Sequence, residues 1–553
     1  MDRSIAVWVS AALALVVLIA LPLGWLGWLS VSGEHGVTLA HYRDAFADPA
    51  LQKALWNTIV LAFWVGLVSV AIGAPLAWLT ARTDVPARGL IRGLVLASFV
   101  TPPFLGAFAW VMLAGPNAGI LNTFWRSLTG ADTPLLNIFT MPGLIFVVAI
   151  YTFPYVYIMV ANTLALIASD LEEAAAILGA GRLTVARTVT LPMVLPALAS
   201  GFILAVLQAL ALFGSPAILA LPAGFHTVTT QIWSLFQFPP KIEQAAAFSV
   251  PLLLATALLL DVQKRLLGRR GYAAVGAKGG QRRTIALGPW RWPALAACLV
   301  VMSGAIFLPY AMLAKGAFSR AWAQPLSRDN FTLGNFAFTF FEYGSTRAAI
   351  VNTLELAVLT ACIGAAMVAL LSYVTNRRLV VGHQLVAFLV LAPVVVPGVV
   401  LAVGLFIAYT RPPFVLYGTL WILFLAYLTK EMPVGYAQAD ATFRAIPADL
   451  EDAGRVLGAG RLRILRDVTA PLAKSGIIAA WCFIFIGVIR ELSASILLFT
   501  PSTKVMSVVI FDLKEEGQFG AISVLGLVML ALTFATVALV QAALGRDVLG
   551  ARR

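Results

Sequence analysis

The sequence predicts an all-α integral membrane protein with about twelve transmembrane helices, arranged as two homologous six-helix halves. Three observations carry that prediction. Of 553 residues, 61% are hydrophobic and only 11% are charged, with a mean hydropathy of +0.92; water-soluble domains are about a quarter charged. Apolar runs long enough to cross the hydrocarbon layer, which takes about 20 helical residues, recur along the whole chain. Residues 171–192 and 450–471 align without a gap at an offset of 279, and 13 of the 22 positions are identical.

Taken in order, the first-half spans are expected at 6–30, 55–80, 91–114, 141–166, 192–220 and 245–264. Those of the second half are expected at 292–314, 350–374, 384–409, 416–442, 472–499 and 519–544. Residues 5–31 form too long an apolar run for a cleaved signal segment and read as an anchor. The first half then covers 1–267 and the second 291–553, joined by 268–290, a glycine-rich basic linker suited to lie beside anionic lipid headgroups. Asn57-Thr58 and Asn352-Thr353 open matching helices, and Pro154 and Tyr157 match Pro433 and Tyr436. From Asn57 to Glu173 is 116 residues, whereas Asn352 to Asp452 is 100. The 16 extra residues are expected near 116–134, where Asn122, Trp125 and Arg126 suit a short interfacial helix. The proline pair Pro102-Pro103 and the Pro393/Pro397 spacing read as kinks in spans three and nine.

The net charge of +13 does not call for nucleic acid. Arg82, Arg88, Arg92, Arg182 and Arg187 share one set of loops with Arg377, Arg378, Arg444, Arg455 and Arg461, and the opposite loops are sparser. The positive-inside rule places the richer side, with both termini, in the cytoplasm. Cys298, Cys362 and Cys482 lie in apolar runs without ligand spacing, and the four histidines are scattered, so no metal site is expected. The segment Gly276-Ala277-Lys278-Gly279-Gly280 lacks the spacing of a phosphate-cradling loop. The chain is therefore expected to hold no cofactor and to catalyse nothing itself.

The duplicated loops, 169–192 and 448–471, are polar islands. In the first, 172–178 favours a helix containing Glu172, Glu173, Ala174 and Ala175; Gly179 and Gly181 break it, Arg182 follows, and Pro192 suits the first turn of the next span. The second carries Glu451, Asp452, Ala453, Gly454, Gly458, Gly460, Arg461 and Pro471 at the same places. Each loop reads as a helix–turn–helix elbow shaped to enter a groove on a soluble partner. The pattern Glu173-Ala174-Ala175, Gly179, Val189, Leu191-Pro192 resembles the EAA loop of ABC-type importer permeases of the type I fold. Asp452, Gly454 and Ala470 depart from it, which makes the two elbows unequal. The resemblance implies that both elbows contact cytoplasmic ABC ATPase subunits, two copies in all, which use the ATP. It further implies a periplasmic solute-binding protein and a bacterial inner membrane.

The run Arg490-Glu491-Leu492-Ser493-Ala494-Ser495 and the segment 507–512 look like the ferric-iron branch of that family; thiamine, phosphonate, polyamine and sulfate branches are related. An ion-coupled secondary transporter with internal repeats is the competing class, and would carry mid-span charges in both halves. Here Lys430 and Glu431 fall within the tenth span and Arg490 and Glu491 within the eleventh, while the first half offers only Gln208. Each charge in hydrocarbon costs about 2.5–3.5 kcal/mol. Helix neighbours diverge too far to neutralise each other, so Lys430 is expected to pair with Glu491 and Arg490 with Glu431. All five residues are candidates for the pathway or its gate.

Overall fold

The computed structural model describes residues 13–33, 35–166, 174–175, 177–268 and 284–544. The first half runs α1 (Leu13–Val31), α2 (Pro49–Arg82), α3 (Arg88–Val100), α4 (Pro103–Ala114), α5 (Ile120–Thr129), α6 (Met141–Leu166), α7 (Leu191–Ala211), α8 (Gly214–Leu219), α9 (Val228–Leu235) and α10 (Ile242–Gly268). The second runs α11 (Gly288–Ala317), α12 (Ser345–Asn376), α13 (His383–Val395), α14 (Gly398–Tyr409), α15 (Leu420–Ala445), α16 (Asp449–Val456), α17 (Ala470–Ile489), α18 (Ser495–Leu498), α19 (Met506–Glu515) and α20 (Phe519–Leu544). Among the described residues, nine helices are long and apolar enough to cross a membrane singly, and the pairs α3–α4 and α13–α14 make two more. α15, whose polarity comes from Lys430, Glu431, Asp440 and Arg444, is not apolar enough to count with them, and as the counterpart of α6 it would make a twelfth.

The duplication holds element by element. From α2/α12 to α4/α14 the two halves keep an offset of 295, and α6/α15 and α7/α17 keep 279. The difference of 16 lies between Ala114 and Met141, where α5 forms with no counterpart. Buried Asn122 holds that insertion together, donating to the carbonyls of Gly115 and Leu136 at 2.9 and 2.8 Å. The proline sites are sharper than kinks. Residues before proline avoid helical dihedrals, and the chain bends by 100° at Pro102-Pro103 and by 106° near Pro397.

Packing crosses the linear division at 268–290. One compact unit gathers the described residues of Met1–Ala45, Ile232–Leu253 and Thr332–Arg553; the other gathers Phe46–Gln231 and Leu254–Phe331. Each half's leading helix therefore packs with spans of the other half, and proline explains the attachment. Pro22 has no amide hydrogen, so α1 widens into an i→i+5 turn over Val16–Ala20 and the carbonyls of Val17 and Leu18 are left over. Tyr409 donates to the first at 2.7 Å and Thr429 to the second at 3.3 Å. Pro309 does the same in α11, where the spare carbonyl of Gly304 accepts from Trp110 Nε1 at 3.2 Å. Gly404 admits the backbone of α1: a Cβ there would lie 2.8 Å from the Pro22 carbonyl oxygen. Gly404→Leu should lower stability by about 1–3 kcal/mol through overpacking, read as a fall in detergent-extracted Tm.

Of the expected linker, residues 269–283 lie outside the described residues, and 284–290 bond to the end of α2 and the turn after it. Ile285 pairs with Thr83, its amide donates to the Arg82 carbonyl at 2.8 Å, and Asp84 accepts from the Leu287 amide at 2.8 Å.

Candidate coupling elbows and charged helix break

The second elbow is fully traced. Asp449, Glu451 and Asp452 stand in the first turn of α16, where carboxylates complement the helix dipole. The helix ends at Gly458, whose φ of +78° is a left-handed conformation that glycine adopts freely, and the Ala459 amide closes back on the Gly454 carbonyl at 3.1 Å. Gly179 repeats this with φ +86° and an Ala180-to-Ala175 bond of 3.0 Å. Gly181 and Gly460, expected to share that task, stay outside the left-handed region and have open space around them, so one glycine per elbow makes the turn. Gly454 has a packing role, since a Cβ there would sit 3.1 Å from Ile464 Cγ1 of the returning arm, whereas Ala453 is exposed. Arg461 is exposed at the start of that arm.

Pro192 and Pro471 stand in the first turns of α7 and α17, as expected, but those helices do not start afresh there. The returning arms 182–190 and 461–469 run into α7 and α17 as continuous helices, each widened to i→i+5 bonding just before its proline because the proline supplies no amide. Glu172 and Glu173 lie outside the described residues, as does the side chain of Arg182.

Two features of the elbows escaped sequence reasoning. The tips expose an apolar pair at the same register in both halves: Ile177 and Leu178 are 85% and 87% exposed, Val456 and Leu457 87% and 86%. Their repetition just before the turn glycine of each elbow was the signal. Second, Glu451 does not project toward a partner. It is 1% exposed, and its carboxylate accepts from Arg377 Nε at 2.8 Å, Thr469 Oγ1 at 3.0 Å and Tyr373 Oη at 3.2 Å. Asp452 is the exposed acid, bonded to Arg455 at 2.8 Å.

The charges assigned to the eleventh span lie at a break. α17 stops at Ile489, Arg490 caps it, and the chain runs non-helically to the short α18. The fifth span likewise ends at Ala211 instead of reaching 220. Apolar composition continues through the break after Ala211, and beyond the charges at the other it resumes at once, which hid them. The break gives Glu491 what a continuous helix would not: the free Ala494 amide donates to Oε1 at 2.8 Å, while Lys430 reaches across from α15 to Oε2. The Lys430–Glu491 pairing is thus present. Ser507 and Ser495 donate to the Glu491 carbonyl at 2.6 and 3.1 Å, and Tyr427 bonds Ser495 at 2.7 Å. Gly398, first residue of α14, leaves the room: a Cβ would lie 3.0 Å from Lys430 Nζ and 3.2 Å from Glu491 Oε1. Glu431 packs directly on Gly487, which has no space for a side chain. Gln208 stands at the register of Gly487, not of Arg490, and donates to Tyr155 Oη.

The segments beyond the breaks are latched alike. Asn57 donates to the His226 carbonyl and Asn352 to that of Lys504, both at 2.9 Å; Thr58 and Thr353 accept from the amides of Val228 and Met506 at 2.8 and 2.9 Å. Tyr157–Thr80 and Tyr436–Thr375, both 2.8 Å, tie the proline-bearing spans α6 and α15 to α2 and α12.

Each half therefore repeats one plan of bent pair, elbow, break and latch. A family profile described as the inner membrane component of binding-protein-dependent transport systems matches residues 73–270 and 362–549, taking in one elbow and one break each time. The chain belongs to this family. It is a multi-pass inner-membrane transport component carrying the family unit twice. The ferric transport system permease protein FbpB of Actinobacillus pleuropneumoniae is 25% identical to it over 88% of this chain and 70% of that one. The Fe(3+)-transport system permease protein FbpB 2 of Haemophilus influenzae is 22% identical over 92% and 93%. The sulfate transport system permease protein CysW of Escherichia coli K12 is 29% identical, over 32% of this chain and 58% of its own.

Proposed function

We propose that this transport component is the membrane-spanning permease of an ATP-driven importer, moving ferric iron delivered by a periplasmic solute-binding protein. Two copies of a cytoplasmic ABC ATPase dock on its two elbows and supply the hydrolysis. The observation that carries this reading is the pair of matching apolar tips, Ile177-Leu178 and Val456-Leu457, exposed on rigid turns. Solvent-exposed apolar side chains repeated at equivalent positions fit a partner's groove. The arginines flanking both elbows support a cytoplasmic position for them and for the termini.

Iron as cargo is supported by the two relatives named for ferric transport, each of which runs along most of the chain. The sulfate relative has the higher identity but is confined to about a third of the chain. In the transport path we assign Lys430, Glu431, Arg490 and Glu491 to a gate at the α17 break, with Gln208 as the uncharged first-half contributor. Mid-span acid–base pairs in one half alone do not fit an ion-coupled carrier with symmetric repeats.

Cells lacking their own ferric importer and expressing this chain with the ATPase and binding protein encoded beside it should take up radiolabelled ferric iron in an ATP-dependent manner. Excess sulfate should not compete. Uptake of sulfate with none of iron would remove the cargo assignment, and ATP-independent uptake would remove the importer class.

A further inference from the structure

The buried acid of the second elbow joins its own helix to two other helical elements. Glu451, on α16, binds Tyr373 and Arg377 at the end of α12, and Thr469 in the arm that leads into α17. Arg377 also donates to the Ile446 carbonyl, just past the end of α15, at 3.1 Å. Arg377 is 10% exposed at its side chain and Glu451 2%, so the pair is shielded from water and ions. A second layer lies one turn inward: Asp440 bonds Asn376 at 2.7 Å, and Tyr436 bonds Thr375 at 2.8 Å.

The duplication gives an independent reason to single this node out. At offsets of 295 and 279, Arg82, Glu172 and Thr190 occupy the positions of Arg377, Glu451 and Thr469. The same three residue types thus stand at all three places in both copies, while Trp78 replaces Tyr373, Asp452 replaces Glu173 and Gly454 replaces Ala175. The acid retained unchanged between the halves is the buried one.

We infer that Glu451 is a positioning residue for force transmission: with Arg377 and Thr469 it welds the elbow to spans α12, α15 and α17, so that displacement of the elbow tip moves the spans instead of bending the elbow. This rests on the reading that the elbows receive the ATPase. A buried ion pair contributes little net stability compared with apolar packing of the same volume, and its use is to fix one arrangement. Glu451 contacts no partner in this role. Val456 and Leu457 make the contact; Glu451 determines what the contact moves.

The test uses the assembled transporter, the chain with its ATPase subunits and binding protein, in proteoliposomes. Two quantities are followed, ATP hydrolysis and substrate uptake, together with disulfide crosslinking from Val456→Cys to the ATPase. Glu451→Gln should leave crosslinking and hydrolysis close to wild type while uptake per ATP falls by about tenfold. Tyr373→Phe removes one hydrogen bond without uncovering a charge, and should move the same ratio in the same direction by about two- to threefold. It serves if the Gln variant does not accumulate. A wild-type ratio in both variants would overturn the inference. So would joint loss of crosslinking and uptake in Glu451→Gln, because Glu451 would then determine docking itself. Failure of Val456→Cys to crosslink in the otherwise wild-type chain would instead strike the docking reading on which the inference rests.

Discussion

Replacing Ile177, Leu178, Val456 and Leu457 together by serine is expected to abolish ATP-driven uptake while leaving the chain in the membrane at its normal level. All four side chains are more than four-fifths exposed, so the chain itself loses no core contact when they are shortened. Their burial comes only with a partner. Burying one such side chain is worth about 1.5–3 kcal/mol, so losing the pair at one elbow should weaken docking there by roughly a hundredfold or more. Co-purification of the ATPase with the tagged chain reads this directly. The paired variants Ile177→Ser/Leu178→Ser and Val456→Ser/Leu457→Ser should each remove one ATPase copy. Wild-type uptake by the quadruple variant would show that the elbows are not the docking sites.

Lys430→Met is expected to lower the amount of folded chain severely, because it leaves the Glu491 carboxylate, 5% exposed, without its cation. Removing one partner of a buried pair costs about 3–5 kcal/mol, comparable with the whole stability of many domains. Lys430→Met/Glu491→Gln removes both charges, and abundance and Tm should return most of the way. Such non-additivity is the sign of direct pairing. Uptake by the double variant then separates the roles: recovered abundance with lost transport assigns the pair to the gate, and recovery of both makes it structural. Single and double variants of equal stability would contradict the geometry described.

The spans and their duplication were readable because hydropathy and the 279-residue repeat are local properties of the chain. The place of the 16-residue insertion followed from arithmetic alone, and α5 stands there. The breaks at Arg490 and after Ala211 were hidden, since an apolar run continues through the second and resumes just past Arg490-Glu491 at the first, and periodicity does not register a lost turn. Pro192 and Pro471 fall in the first turns of α7 and α17 as the sequence suggested, but the widened turns that join them to the preceding arms show only in the backbone hydrogen bonding. The role of Glu451 depended on Arg377, 74 residues earlier, and nothing in its own neighbourhood signalled a buried acid. Lys430 and Glu491 were paired correctly because charges in hydrocarbon have few ways to be neutralised. The crossing of α1 and α11 into the opposite packing units left one trace, a proline in each leading helix, whose meaning appears only beside Tyr409, Thr429 and Trp110.

Native mass spectrometry of the transporter extracted from its own membrane tests the central claim most directly. One copy of this chain should fly with two copies of an ATP-hydrolysing subunit, and the Val456→Ser/Leu457→Ser variant with one. Retention of both copies when all four tip residues are serine, or a wild-type complex with no ATPase bound, would contradict the account.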